Sequence, residues 1–107
     1  MIAKAAVMAC SLGMSLQVQA NSDTIIPSAF PFTREQLVAI GDKQVARFCK
    51  ARRCTREQFL DPAVRHQPGR GADEMAIVEY QAKNGRGEIV VMIGRDGRAE
   101  LGDSLRL

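Results

Sequence analysis

Between Thr33 and Thr55 the apolar residues recur with a helical period. At about 100° per residue, Leu37, Val38, Gly41, Val45, Phe48 and Cys49 share one arc of roughly 120°, and Lys43, Arg47 and Lys50 fall opposite. This predicts an amphipathic helix. Thr33 is placed to cap its first turn, and Gln36, three residues on, completes a T-x-x-Q capping box. Phe32 and Leu37 are spaced for a hydrophobic staple, while Pro31 keeps the preceding chain out of the helix. Gly41 sits mid-stripe, where glycine costs about 1 kcal/mol relative to alanine. It either admits another element closely or marks a kink before Asp42.

A period of two takes over from Met75 to Leu101. Ala76, Val78 and Tyr80 alternate with Ile77, Glu79 and Gln81, and Asn84-Gly85 is a type I′ hairpin signal. A two-residue loop there pairs Tyr80 with Ile89, Val78 with Val91 and Ala76 with Ile93, all on one face. A three-residue loop, Arg95-Asp96-Gly97 with a left-handed Gly97, then sets Ala99 against Ile93 and Leu101 against Val91. The expected fold is α+β: the amphipathic helix packed on a three-stranded antiparallel β-meander. Its expected core is Leu37, Val38, Val45, Phe48, Val78, Tyr80, Ile89, Val91, Ile93 and Leu101.

The segments between are shorter. The first helix should stop near Arg53, because Thr55-Arg56-Glu57-Gln58 repeats Thr33-Arg34-Glu35-Gln36 letter for letter. A second capping box there predicts a short second helix from Arg56 to about Leu60, ended by Asp61-Pro62. Val64–Gln67 is a candidate edge strand outside the three-stranded scheme, and Pro68-Gly69-Arg70-Gly71 reads as a turn.

The alternation leaves Ile77, Val90 and Met92 on the outer sheet face beside Glu79 and Glu88. Clustered apolar residues there call for a cover. Candidates are the N-terminal arm, the C-terminal Leu105 and Leu107, a protein partner, or a second copy forming a homodimer.

Composition sets the scale. Of 107 residues, 46% are apolar and 25% charged, which suits one globular domain. Residues 1–20 read as a cleaved signal peptide: a basic n-region ending at Lys4, an apolar stretch from Ala5 to Leu16, and Val18-Gln19-Ala20 for cleavage. Val7-Met8-Ala9-Cys10 has some likeness to a lipobox, but too few apolar residues precede Cys10. Removing Lys4, the one charged residue of that segment, lowers the formal net charge from +3 to +2. The expected organisation is an extended arm over 21–31 and one domain over 32–107. Ile25, Ile26 and Phe30 of the arm could dock an edge or groove, or the arm could equally be a disordered lead-in. No transmembrane span is expected in the mature chain. The implied location is periplasmic or secreted.

Cleavage leaves two cysteines, Cys49 and Cys54, and in an exported chain such a pair predicts a disulfide. On an unbroken helix they would lie about 7.5 Å apart along the axis. The bridge therefore requires the helix to break before Cys54. One histidine, His66, cannot complete a four-ligand metal shell, and no cofactor is implied. No nucleophile matches His66 and Asp61, and the carboxylates are scattered, so no enzyme is indicated.

Lys43, Arg47, Lys50, Arg52, Arg53 and Arg56 form a basic run with no acid between 43 and 56. It is either a surface for an acidic partner or a solvated helix face favoured by the helix dipole. The lack of aromatic residues nearby speaks against single-stranded nucleic acid.

The helix followed by Val78-Glu79-Tyr80, Asn84-Gly85, Ile89-Val90-Val91 and Asp96-Gly97-Arg98-Ala99-Glu100-Leu101 resembles the helix–strand–strand layout of PepSY-type periplasmic domains. The resemblance implies protease inhibition or modulation of envelope proteins. Gly94 stands where that family often carries an aspartate, and no functional residue is carried over. The function expected is therefore binding or inhibition of another envelope protein, as an inhibitor or immunity-type protein would act, through Ile77, Val90 and Met92 or through Arg47, Lys50, Arg52, Arg53 and Arg56. The alternative is a structural subunit of an envelope assembly.

Overall fold

Thr33 opens the helix as its sequence predicts. In the computed structural model, which describes residues 23–106, its hydroxyl accepts from the Gln36 amide at 3.2 Å and the Gln36 side chain accepts from the Thr33 amide at 2.8 Å. The expected signal peptide, its cleavage point and Leu107 lie outside the described residues. Helix α1 runs unbroken from Arg34 to Arg52 and ends at Arg53 in the left-handed region, with φ 61°. The amides of Arg53 and Cys54 both donate to the Cys49 carbonyl. This reversal brings the Cα atoms of Cys49 and Cys54 to 4.4 Å, and the two form the expected disulfide.

The same four letters give a different result the second time. Gln58 accepts from the Thr55 amide at 2.8 Å, yet only one 3₁₀ turn follows, Arg56–Gln58, in place of the helix expected to reach Leu60. The sheet takes the next residues. Phe59 is extended, buried, and bridged to Ala82, while Leu60 donates to the Gln81 carbonyl at 2.8 Å.

Four antiparallel strands follow, not three: β1 (Ala63–Gln67), β2 (Met75–Gln81), β3 (Glu88–Gly94) and β4 (Ala99–Asp103), ordered β1-β2-β3-β4. β1 pairs Val64 with Val78 and His66 with Ala76. The three central pairings predicted for β2 and β3 are present, as are Ile93 with Ala99 and Val91 with Leu101. The second turn also forms as expected, with Gly97 at φ 82°. The first differs. A type I′ turn needs positive φ at Asn84, but Arg53 is the one non-glycine with positive φ among the described residues. The chain instead turns from Ala82 to Gly85, whose amide donates to the Ala82 carbonyl, and Asn84 accepts from the Arg86 amide. Register survives the change because Ala82 still donates to Gly87 across the hairpin.

Helix α1 covers one face of the sheet. There Val64, Ala76, Val78, Tyr80, Ile89, Val91 and Ile93 are each 0% exposed. Phe30 and Phe59 join that core, and Val38, Phe48 and Leu101 pack at its margin. Gly41 is the point of close approach, not a kink. A Cβ there would lie 2.6 Å from the Tyr80 hydroxyl and 3.1 Å from Val78. Tyr80 donates to Asp42 at 2.7 Å, so a buried phenol meets its partner at the helix surface.

The arm docks on the outer edge of β1. Thr24 donates to the Val64 carbonyl, Asp23 accepts from the Val64 amide, and the Thr24 hydroxyl accepts from the His66 amide. Phe30 is buried edge-on to Phe32 and His66, whereas Ile25 points to solvent.

Candidate functional site

The residues singled out by the sequence lie on two separate surfaces. Ile77, Val90 and Met92 come together on the sheet face turned away from α1, because strand residues alternate faces and Ile77 is paired with Met92. Arg47, Lys50, Arg52 and Arg53 lie on and just after the helix, on the other side.

The outer face is less open than its pattern suggests. Ile77 is only 8% exposed, and Val90 and Met92 are half-buried. For Ile77 the cause is β1, which places Arg65 opposite it. Arg65 forms a two-pronged hydrogen bond with Glu79, at 3.1 and 3.0 Å, on the same face. The aliphatic stem of such an arginine covers apolar surface while its head stays wet.

Toward the β3–β4 turn this face opens into a groove of about 560 Å³. Met75, Met92 and Gly94 are in its lining, with Ala72 from the 3₁₀ turn Gly71–Asp73 on one side and Arg95 and Arg98 from the β3–β4 turn on the other. Arg95 is held by Glu74 at 2.8 Å, and Glu74 also meets His66 Nε2 at 2.7 Å. The bonds from His66 and Arg95 hold the Glu74 carboxyl below its ordinary value. Sequence reasoning missed this groove. Besides Met92, already placed on this face, Met75 and the Gly71-Ala72 pair were its signals.

The basic run divides. Arg56 is structural: its guanidinium lies 5.2 Å from the Tyr80 ring centre, faces Asp42 and Asp61, and donates to the Phe59 carbonyl at 3.1 Å. Arg52 lies over Phe48 and 3.9 Å from Asp103. Among the described residues Lys43, Arg47, Lys50 and Arg53 make no ion pair.

The described residues contain no cluster of three or more potential metal ligands. No described helix is long and apolar enough to cross a membrane. No family model, curated protein or solved structure matches the chain.

Proposed function

We propose that the chain is a small exported binding protein, inhibitory or modulatory in action, which engages another cell-envelope protein through the outer face of its sheet. One observation carries this reading. Met75, Val90 and Met92 stay partly exposed on that face, with Met75 and Met92 lining its groove, whereas α1 seals the opposite face. The groove suits one or two apolar side chains of a partner, and Arg98 and Glu100 can pair at its rim. The disulfide and the N-terminal sequence support export. The resemblance to PepSY-type domains supports inhibition over a purely architectural role.

The test is site-specific photo-crosslinking in cells exporting the protein, with the probe at Met92 or at Lys50. One envelope protein should be linked from Met92 and not from Lys50, and Val90→Lys should abolish that linkage. Linkage from Lys50 alone would move the contact to the basic helix and overturn the proposal. A stoichiometric complex that survives dilution would identify a structural subunit instead.

A further inference from the structure

The two edges of the sheet are finished differently. The arm occupies the β1 edge, where Thr24 and Asp23 bond both backbone groups of Val64 and Thr24 takes the His66 amide. The β4 edge has no such strip among the described residues. Gly94 donates to the Arg98 carbonyl and Ser104 to the Glu88 carbonyl, which fixes the bonding parity. Arg98, Glu100, Gly102 and Ser104 therefore direct their backbone groups toward β3, and Ala99, Leu101 and Asp103 direct theirs away from the sheet. β4 carries no proline, lysine or bulge, and its only charges are Glu100 and Asp103.

We propose that the β4 edge is the interface for a second copy of this chain, paired antiparallel about a two-fold axis through Leu101 to give one continuous eight-stranded sheet. The bonding parity allows registers centred on Glu100, Leu101 or Gly102. Centring on Glu100 sets two like charges face to face, which is unfavourable. Centring on Gly102 puts no side chain on the axis and sets Leu101 against an aspartate, Asp103. Centring on Leu101 stacks the two half-buried leucines, sets Ala99 against Asp103, and places each Glu100 opposite Gly102, so that no charge lies directly across from it and the two Glu100 carboxylates are only diagonal neighbours. One register thus avoids a directly opposed pair of like charges. That pairing puts both helices on one side and joins the two outer faces on the other. The proposal does not rest on the function proposed above.

Gly102 provides the test, because a Cβ there meets nothing within 4 Å and its φ is not positive. Sedimentation equilibrium of the protein recovered from expressing cells should show a mass rising toward the dimer between roughly 10 µM and 1 mM. Gly102→Glu adds two repulsive pairs with Glu100 and should weaken dimerisation on the order of ten-fold, whereas Gly102→Lys should tighten it by a similar factor. Combining Glu100→Lys with Gly102→Glu should restore it. The melting temperature of the dilute monomer serves as the folding control and should barely change. A chain that stays monomeric throughout that range overturns the proposal. So does a dimer indifferent to both Gly102 variants, and so does one broken by Met92→Lys alone, which would be built on the outer face.

Discussion

Ile77 and Val78 are neighbours in β2, and both are buried, but by different material. Val78, at 0% exposure, lies under helix α1 at Gly41, in a face composed of apolar side chains. Ile77, at 8%, lies beside the Arg65–Glu79 ion pair, on a face that ends in water. An ion pair of this kind contributes only about 0–1 kcal/mol and can swing aside. Low exposure therefore means a core position on the inner face and a shielded surface position on the outer one.

The largest expected effect separates the two faces outright. Val91→Lys puts an unpaired ammonium where no water reaches. Such burial costs several kcal/mol, comparable with the roughly 5–15 kcal/mol total stability of a small domain. Loss of the cooperative transition in circular dichroism is the expected outcome. A normal melt would show that the inner face was assigned wrongly.

The contact between Gly41 and Tyr80 should be the next most sensitive. Alanine is the better helix former by about 1 kcal/mol, but forcing a methyl into a filled space costs about 1–3 kcal/mol. Gly41→Ala should therefore lower the melting temperature. Adding Tyr80→Phe should recover part of the loss, because it removes the hydroxyl that lies 2.6 Å from the new Cβ. Additive losses would mean that the two sites do not touch.

Tyr80 also reports on the inner face through pH. Burial, then its bond to Asp42, raises the phenol above its ordinary value of 10.0. A group whose pKa is raised by folding stabilises fully below its unfolded pKa and loses that contribution as the pH climbs toward its folded one. Tyr80 is the chain's single tyrosine, so phenolate absorbance reads it alone. Ionisation should be delayed beyond pH 10.0 and coincide with alkaline unfolding. A simple titration at 10.0 in the folded protein would mean that the hydroxyl is wet.

The smallest effect belongs to the outer face. Met92→Lys should change stability by about 0.5 kcal/mol or less, with Ile77→Lys between it and Val91→Lys because Arg65 and Glu79 must reorganise around the new charge. Thermal melts in parallel rank the three, and a Met92→Lys as damaging as Val91→Lys would erase the distinction between the faces.

What the sequence conveyed follows from how local each signal was. Alternation in β2 and β3 settled the register, because a one-residue slip would have turned Val78, Tyr80 and Val91 outward. The capping box at Thr33 worked because fifteen further residues of helical pattern follow its first turn. The identical box at Thr55 gave a single turn because Phe59 is drawn into the core and paired with Ala82, a demand from residues far along the chain. β1 was obscure for a similar reason. Arg65-His66-Gln67 carries no apolar alternation, and the strand is defined by its partners, β2 on one side and the arm on the other. Of the candidate site, the positions of Val90 and Met92 could be read directly. The shielding of Ile77 and the groove could not, since both depend on β1 and on the turn that follows it.

The strand order has a consequence for the sequence of folding events. Because β1, β2, β3 and β4 lie side by side in chain order, each pairing joins segments that are close in the chain. Hairpins of this kind close in about 1–10 µs, and low contact order favours fast folding. The seam between arm and β1 is the exception, since Asp23 and Val64 are 41 residues apart. Closing it requires the helix and the first hairpin to be in place. The arm should therefore be the last segment to gain protection from amide exchange and the first to lose it, so that a protease meeting the native protein would cut there before the meander opens.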